Sequence, residues 1–377
     1  MDKDKEKIQK DKIQKIKLQR WQIKKLLFWG ILYTVISTTF LTLATWDLYK
    51  DKTKEVYYWD RYLNEESLPE QEAEEIAAEA KNVETGVYVE SVKELNKKTG
   101  YFRVVSEVWF KWENESGSED LDMMNHFRIY NGYINKMEVI KDITNGKERY
   151  QRCRIDVTVN HKFWTKRFPL ESHQLRFYIE PDHALCEIRL IPDTENSTIN
   201  NHMGIAGYEL RQFDIAEIIV EMNSTFAEPG FEDNMYRSEI LTAIEINRSG
   251  SGLYLECFIA LFGTTFWVLI TLYICTYHRV DPLSMIPAAL FGTVSNVMVG
   301  ANQISEELDL GLLIYVNAWG ILTIISCAVA IININRIRNK FQDNWFAKVY
   351  GQMMFFLVLY YVLLGHIVLP YAAYLRG

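Results

Sequence analysis

The sequence predicts an α+β membrane protein: an extracytoplasmic β-sandwich, then a four-helix transmembrane bundle, with an extra N-terminal transmembrane anchor. Three observations carry this. Four apolar runs fill the last third, at about 253–277, 283–304, 312–334 and 353–375, each near the length that crosses a bilayer. Between about 84 and 251 the pattern changes to short alternating stretches of β-branched and aromatic residues divided by turns. An uncharged run at 26–46 follows a strongly basic start.

In chain order, residues 1–25 form a basic cytoplasmic head, with ten Lys or Arg against Asp2, Asp4, Glu6 and Asp11. The run 26–46 exceeds the usual apolar core of a signal peptide and reads as a signal anchor. Cleavage near Ala44, in Thr-Leu-Ala, is the other reading. Residues 47–83 are an acidic helical linker, rich in Glu and Ala from 63 to 81. The domain 84–251 opens with a hairpin, 86–95 and 101–112, turning at Lys97-Lys98-Thr99-Gly100. Further strands are expected at 127–139, 150–163, 174–179, 185–190, 207–222 and 236–247, the spacing of a β-sandwich. Only 249–252 separate it from the helical domain, 252–377, so the connection is short enough to transmit motion.

Basic loops favour the cytoplasmic face. His278 and Arg279 lie in one loop, Arg336, Arg338, Lys340 and Lys348 in another, and the intervening loop has Glu306, Glu307 and Asp309 with no basic residue. One orientation in the cell membrane satisfies all of them: N-terminus inside, sandwich and C-terminus outside. The net charge of −8 conceals an asymmetry, since 47–251 holds 39 acidic and 25 basic residues, a balance of 25 − 39 = −14. Such a surface enriches cations and repels anions, nucleic acid among them. Of five cysteines, Cys257, Cys275 and Cys327 lie in apolar runs as packing residues, while pairing of Cys153 with Cys186 stays open. No nucleophile–base set, zinc-ligand spacing or phosphate-binding glycine loop is present, so no enzyme, cofactor or metal is expected.

The second apolar run differs from its neighbours. It carries Ser284, Thr293, Ser295, Asn296, Asn302 and Gln303. Uncharged polar groups in hydrocarbon need a partner or water, so this helix belongs against other helices or a water-filled path.

Specific residues then resemble the pentameric ligand-gated ion channels. Glu84-Thr85-Gly86-Val87-Tyr88-Val89 through Trp109-Phe110-Lys111-Trp112-Glu113 looks like their first hairpin. The stretch 163–180, with Phe168-Pro169, Glu171 and Gln174-Leu175, is similar to their signature loop, and Arg248 precedes the first helix as theirs does. The similarity spans about 84–375. No cysteines bracket the loop, as in the prokaryotic type, and Pro287 and Ala289 depart from the usual second helix.

The resemblance implies a homopentamer with five copies of the second helix around a pore. The stripe Ile286, Ala289, Thr293, Asn296, Gly300 and Gln303 is expected to line it, with Ile286 as an apolar constriction. Ser284, Ala288, Gly292, Ser295 and Val299 form a competing stripe whose other reading is close helix packing. Pro287 is expected to kink the helix. Asp281, Glu306 and Glu307 are selectivity candidates that lean towards cations, Asp281 being equally a helix cap. Coupling is assigned by resemblance to the turn 96–100, to Phe168, Pro169 and Glu171, to Arg248, and to Asp309, with Arg248 and Glu171 as a charge pair. That pair either transmits gating or only joins two domains. Ligand capture falls to Trp109, Tyr130, Tyr133, Phe226, Glu228, Phe231 and Tyr236, where aromatic faces beside carboxylates suit an amine. His173, His183 and His202 are protonation-switch candidates. The expected function is a ligand-gated channel subunit, answering a small-molecule or ion agonist and in contact with membrane lipid. The alternative is a non-conducting membrane receptor with the same sensing sandwich.

Overall fold

A computed structural model describes residues 18–64, 68–114, 121–222, 224–227, 235–301 and 311–374. It contains two β-sheets and a helical domain. Among the described residues ten strands run in chain order: β1 Lys81–Asn96, β2 Tyr101–Glu113, β3 Phe127–Ile129, β4 Gly132–Asn145, β5 Glu148–Asn160, β6 Ser172–Pro181, β7 Ile188–Pro192, β8 Thr198–Ile199, β9 Tyr208–Met222 and β10 Met235–Arg248. One sheet has the order β4-β5-β2-β1-β7, with β8 also on β1; the other has the order β3-β6-β10-β9. Their facing sides share one apolar core. Val87, Phe102, Val104, Phe110, Ile155 and Val157 come from the first sheet, and Leu175, Phe177, Ile179, Ile240 and Ile244 from the second. The expected strand 127–139 is divided in two. Gly132 begins β4 pressed on the backbone of Thr158, where an added Cβ would lie 2.4 Å from its carbonyl oxygen.

The helices are α1 Arg20–Asn64, α2 Glu70–Ile76, α3 Gly252–His278, α4 Ile286–Ala301, α5 Leu312–Phe341 and α6 Asn344–Tyr374, with a 3-10 turn, Leu283–Met285, ahead of α4. Four of them, α1, α3, α5 and α6, contain stretches long and apolar enough to cross a membrane, while Leu283–Val294 is a shorter apolar helix. The chain therefore fits a membrane protein with a β domain.

Helix ends follow local chemistry. α3 stops where Arg279 turns left-handed, at φ 58°, ahead of Asp281-Pro282. Asp343 caps α6 by accepting the Phe346 N–H at 2.9 Å. Within the expected acidic helical linker 47–83, α1 continues 18 residues past Trp46 as one helix with the expected anchor, and the short α2 follows at Glu70–Ile76. Residues 47–64 contain no Gly or Pro to break it, and Leu48, Asp51, Lys52 and Glu55 are buried along one side.

The helical domain is layered. α4 touches α3 and α5; α6 packs on α3 and α5; α1 packs mainly on α6. The polar helix α4 thus occupies one edge and α1 the opposite one. Thr38 and Tyr361 share a hydrogen bond of 2.8 Å, Phe40 stacks on Trp319, and Gln22 donates to Asp343 at 2.7 Å, so α1 is a packed member of the domain.

Candidate functional site

The loop between β5 and β6 sits where the sandwich meets the helices. A cis peptide bond joins its Phe168 to Pro169. Glu171, fully buried, receives hydrogen bonds at a single oxygen, Oε1, from Lys97 Nζ at 2.5 Å, Arg248 Nη2 at 3.1 Å and Tyr208 Oη at 3.0 Å. His173 Nε2 lies 3.7 Å from the same atom. Rings close the layer around these charges: Lys97 is 4.8 Å from the Phe168 ring centre and Arg248 is 4.2 Å from that of Tyr208. Burial alone would raise the Glu171 pKa, but the His173 contact and the Lys97 and Arg248 charges hold it well below the carboxylate range. The turn 96–100, Phe168, Pro169, Glu171 and Arg248 are therefore neighbours, and Tyr208 and His173 complete the cluster. Burial lowers the pKa of His173, so the ring is neutral near pH 7. His202 is exposed, and His183 lies edge-on to His126 at 5.5 Å. Asp309 lies outside the described residues.

The other side of this loop meets α1. Lys166 pairs with Asp47 at 2.9 Å, the Trp164 indole donates to Asp51 at 3.0 Å, and Arg167 pairs with Glu55. Lys166 also accepts the Leu312 N–H at 2.9 Å through its carbonyl oxygen, and Arg167 donates to the Ala373 carbonyl at 3.3 Å. Gly311 permits this approach: an added Cβ would lie 2.1 Å from the Lys166 oxygen. The α1 contacts lie outside the sequence-based expectations, although acids at 47, 51 and 55 carry the four-residue spacing of one helix face.

On α4 the expected stripe points inward. Thr293 is 0% exposed, Ala289 2%, Asn296 4% and Ile286 6%. Thr293 returns its hydroxyl to the Ala289 carbonyl at 3.0 Å, and Asn296 donates to Asn317 of α5 at 3.1 Å. These polar groups are satisfied inside the chain's own bundle, which corrects their expected place on a water path. Gly300 falls in the last turn of α4, and Gln303, Glu306 and Glu307 lie outside the described residues. The opposite face carries Ser284 and Ala288, both exposed, with Phe291 at 77%, Val294 at 55% and Met298 at 65%. The competing stripe divides, because Gly292 packs on Thr264 of α3. The expected kink at Pro287 has no cause. It occupies the first turn, where its missing N–H breaks no helical bond. Asp281 accepts the Leu283 N–H at 3.2 Å, at the start of the 3-10 turn.

The ligand-capture candidates are dispersed. Trp109 donates to Asp193 at 3.0 Å and lines a groove of about 530 Å³ with Glu84, Glu107, Lys111 and Arg152. Tyr130 and Tyr133 line a separate groove of about 450 Å³. Phe226 is exposed beneath the Arg237 guanidinium, while Tyr236 packs with Leu185 and Ala73 of α2. Glu228 and Phe231 lie outside the described residues. Among the described residues, the candidates Trp109, Tyr130, Tyr133, Phe226 and Tyr236 do not share one pocket. Close to Arg237, Glu180 and Glu239 occupy the neighbouring, antiparallel strands β6 and β10, and Arg128 and Arg237 both pair with Glu180. Burial and the Glu180 charge push the Glu239 pKa up to about 8. Cys153 is buried, Cys186 is exposed, and the two form no disulfide. Among the described residues, no group of His, Cys, Asp or Glu is arranged to hold a metal ion.

Comparison with protein-family models and with curated proteins finds no match for the chain.

Proposed function

We propose that the chain is a subunit of a ligand-gated ion channel that assembles around α4, with the sandwich outside the membrane and the basic head inside. The observation that carries the reading is the layering of the helical domain. α4 is held from one side by α3 and α5, its other face is uncovered, and α6 and α1 stand at the far edge. A helix so placed completes its surroundings with copies of itself around an axis. A second uncovered surface supports assembly. Strand β4 exposes Tyr133, Met137, Val139, Ile140 and Ile143 along an edge that further copies would protect.

The path is lined by the face bearing Ser284, Ala288, Phe291 and Met298, replacing the Thr293–Asn296 face. Five Phe291 rings form an apolar constriction that closes by excluding water. The stimulus is a small molecule or ion acting on the sandwich. In the groove at Trp109, Lys111 pairs with Glu84 and Arg152 with Glu107, which leaves Asp193 beside the aromatic ring as the carboxylate that favours a small organic ammonium.

Reconstitution of the purified full chain in planar bilayers tests the function, with steps to acidic pH and additions of tetramethylammonium as probes and native mass spectrometry for the copy number. Current from a five-copy assembly is expected. The apolar character of the uncovered α4 face favours one rival, a non-conducting receptor with the same sensing sandwich. A five-copy assembly without current under every condition selects that rival.

A further inference from the structure

We propose that the second half of α1 is a strap that fixes the β5–β6 loop and so sets how strongly the sandwich drives the helices, with Asp47, Asp51 and Glu55 as its positioning residues. The functional consequence rests on the channel reading; the strap itself rests on geometry.

α1 reaches three levels of the molecule as one uninterrupted helix of 45 residues, about 68 Å at 1.5 Å per residue. Among the membrane-length helices it is fixed by Tyr33, Leu41, Ala44 and Leu48, all buried, and by the Thr38–Tyr361 bond. At the junction its acids recur every fourth residue and take Lys166, Trp164 and Arg167 in turn. Beyond the junction, the carbonyls of Tyr58 and Trp59 accept from Arg176 of β6, at 3.5 and 3.2 Å, and that guanidinium lies over the Tyr58 ring. The strap therefore connects helices, loop and sandwich independently of the covalent link at 249–251.

Its contacts are built to position. Glu55 is 1% exposed and Arg167 4%, so this pair is not a solvated ornament. Tyr315 of α5 donates to Asp47 at 2.6 Å while Lys166 holds the same carboxylate, so one acid ties a bundle helix to the loop. Residues 166 and 167 face α1 while Glu171, four residues on, faces Arg248. Movement of the loop towards either side must break contacts on the other.

The test uses the full chain in three forms: wild type, the triple variant D47N/D51N/E55Q, and a one-alanine insertion after Trp46 that keeps every charge but turns the acid face by about 100°. Two readouts are taken: hydrogen exchange of the peptide spanning 163–172, and the ratio of stimulated to unstimulated current on an acid step. In both variants exchange is expected to rise about tenfold and the current ratio to fall about tenfold, with unitary conductance unchanged. Unchanged exchange in either variant overturns the strap whether or not the protein conducts. Faster exchange with an unaltered current ratio reduces α1 to an anchor and overturns the coupling role. A silent wild type removes the channel reading alone, and the strap is then judged on exchange. Should the triple variant fail to fold, D47N alone gives the same readouts at smaller amplitude.

Discussion

The β5–β6 loop is gripped on its two sides by mirror-image chemistry. Towards Arg248 the loop supplies one acid, Glu171, and its surroundings supply two cations, a phenol and a neutral histidine. Towards α1 the loop supplies Lys166 and Arg167, and the helix supplies three acids. The first grip converges on a single oxygen, so its loss leaves two half-buried cations near one another without their shared acid. The second is spread over two turns of helix, so each member holds only part of the load. Concentrated charge fixes a position sharply; a distributed ladder permits graded release.

The largest test of this contrast is Glu171→Gln. Removing one member of a buried charge cluster costs about 3–5 kcal/mol, seen as a large loss of thermal stability in detergent. A drop no greater than that of a surface variant would show that the convergent grip does not hold the junction. A second carboxylate sharpens the point through pH. Glu171 has dedicated cations and a depressed pKa, so its contribution is present above the unfolded carboxylate pKa and fades as the solution is acidified through its folded value. Glu239 has Glu180 beside it and a pKa raised to about 8, so its sign is reversed. The folded state binds the extra proton, and stability falls as pH rises from the ordinary glutamate value of 4.5 towards 8, by up to about 1.4 kcal/mol per pH unit. Glu239→Gln is expected to flatten that slope in melting curves across this window; an unchanged slope refutes the assignment.

Smaller effects probe the α1 side. Gly311→Ala places a methyl against the Lys166 backbone and costs about 1–3 kcal/mol through forced separation of α5 from the loop; a neutral melting point would contradict the close approach. Asp47→Asn removes a pair whose side chains are 35% and 21% exposed, worth about 1 kcal/mol or less. A cost as large as that of Glu171→Gln would erase the distinction between the grips.

Much of this layout was legible in the sequence. The hairpin at Lys97–Gly100 and the closeness of Glu171 to Arg248 followed from alternation, turn residues and the similarity around Phe168-Pro169. The facing of α4 was not legible. A polar stripe at helical spacing looks alike whether water or another helix satisfies it, and the Asn296 partner, Asn317, lies on a different helix 21 residues away. The continuity of α1 from the anchor to Asn64 was not legible, because composition marks 47–83 as a separate acidic helical linker, although the acids at 47, 51 and 55 carry the spacing of one helix face. The division of 127–139 depended on Gly132 meeting a neighbouring backbone, a contact that local pattern does not contain.

Cysteine accessibility along α4 tests the central claim most directly. In a Cys186→Ser background, Ala288→Cys and Thr293→Cys are compared for block of bilayer current by a small thiol-reactive cation. The uncovered-face pore predicts rapid block at 288 and none at 293, where the side chain is sealed against the bundle. Block at 293 with none at 288 would contradict it.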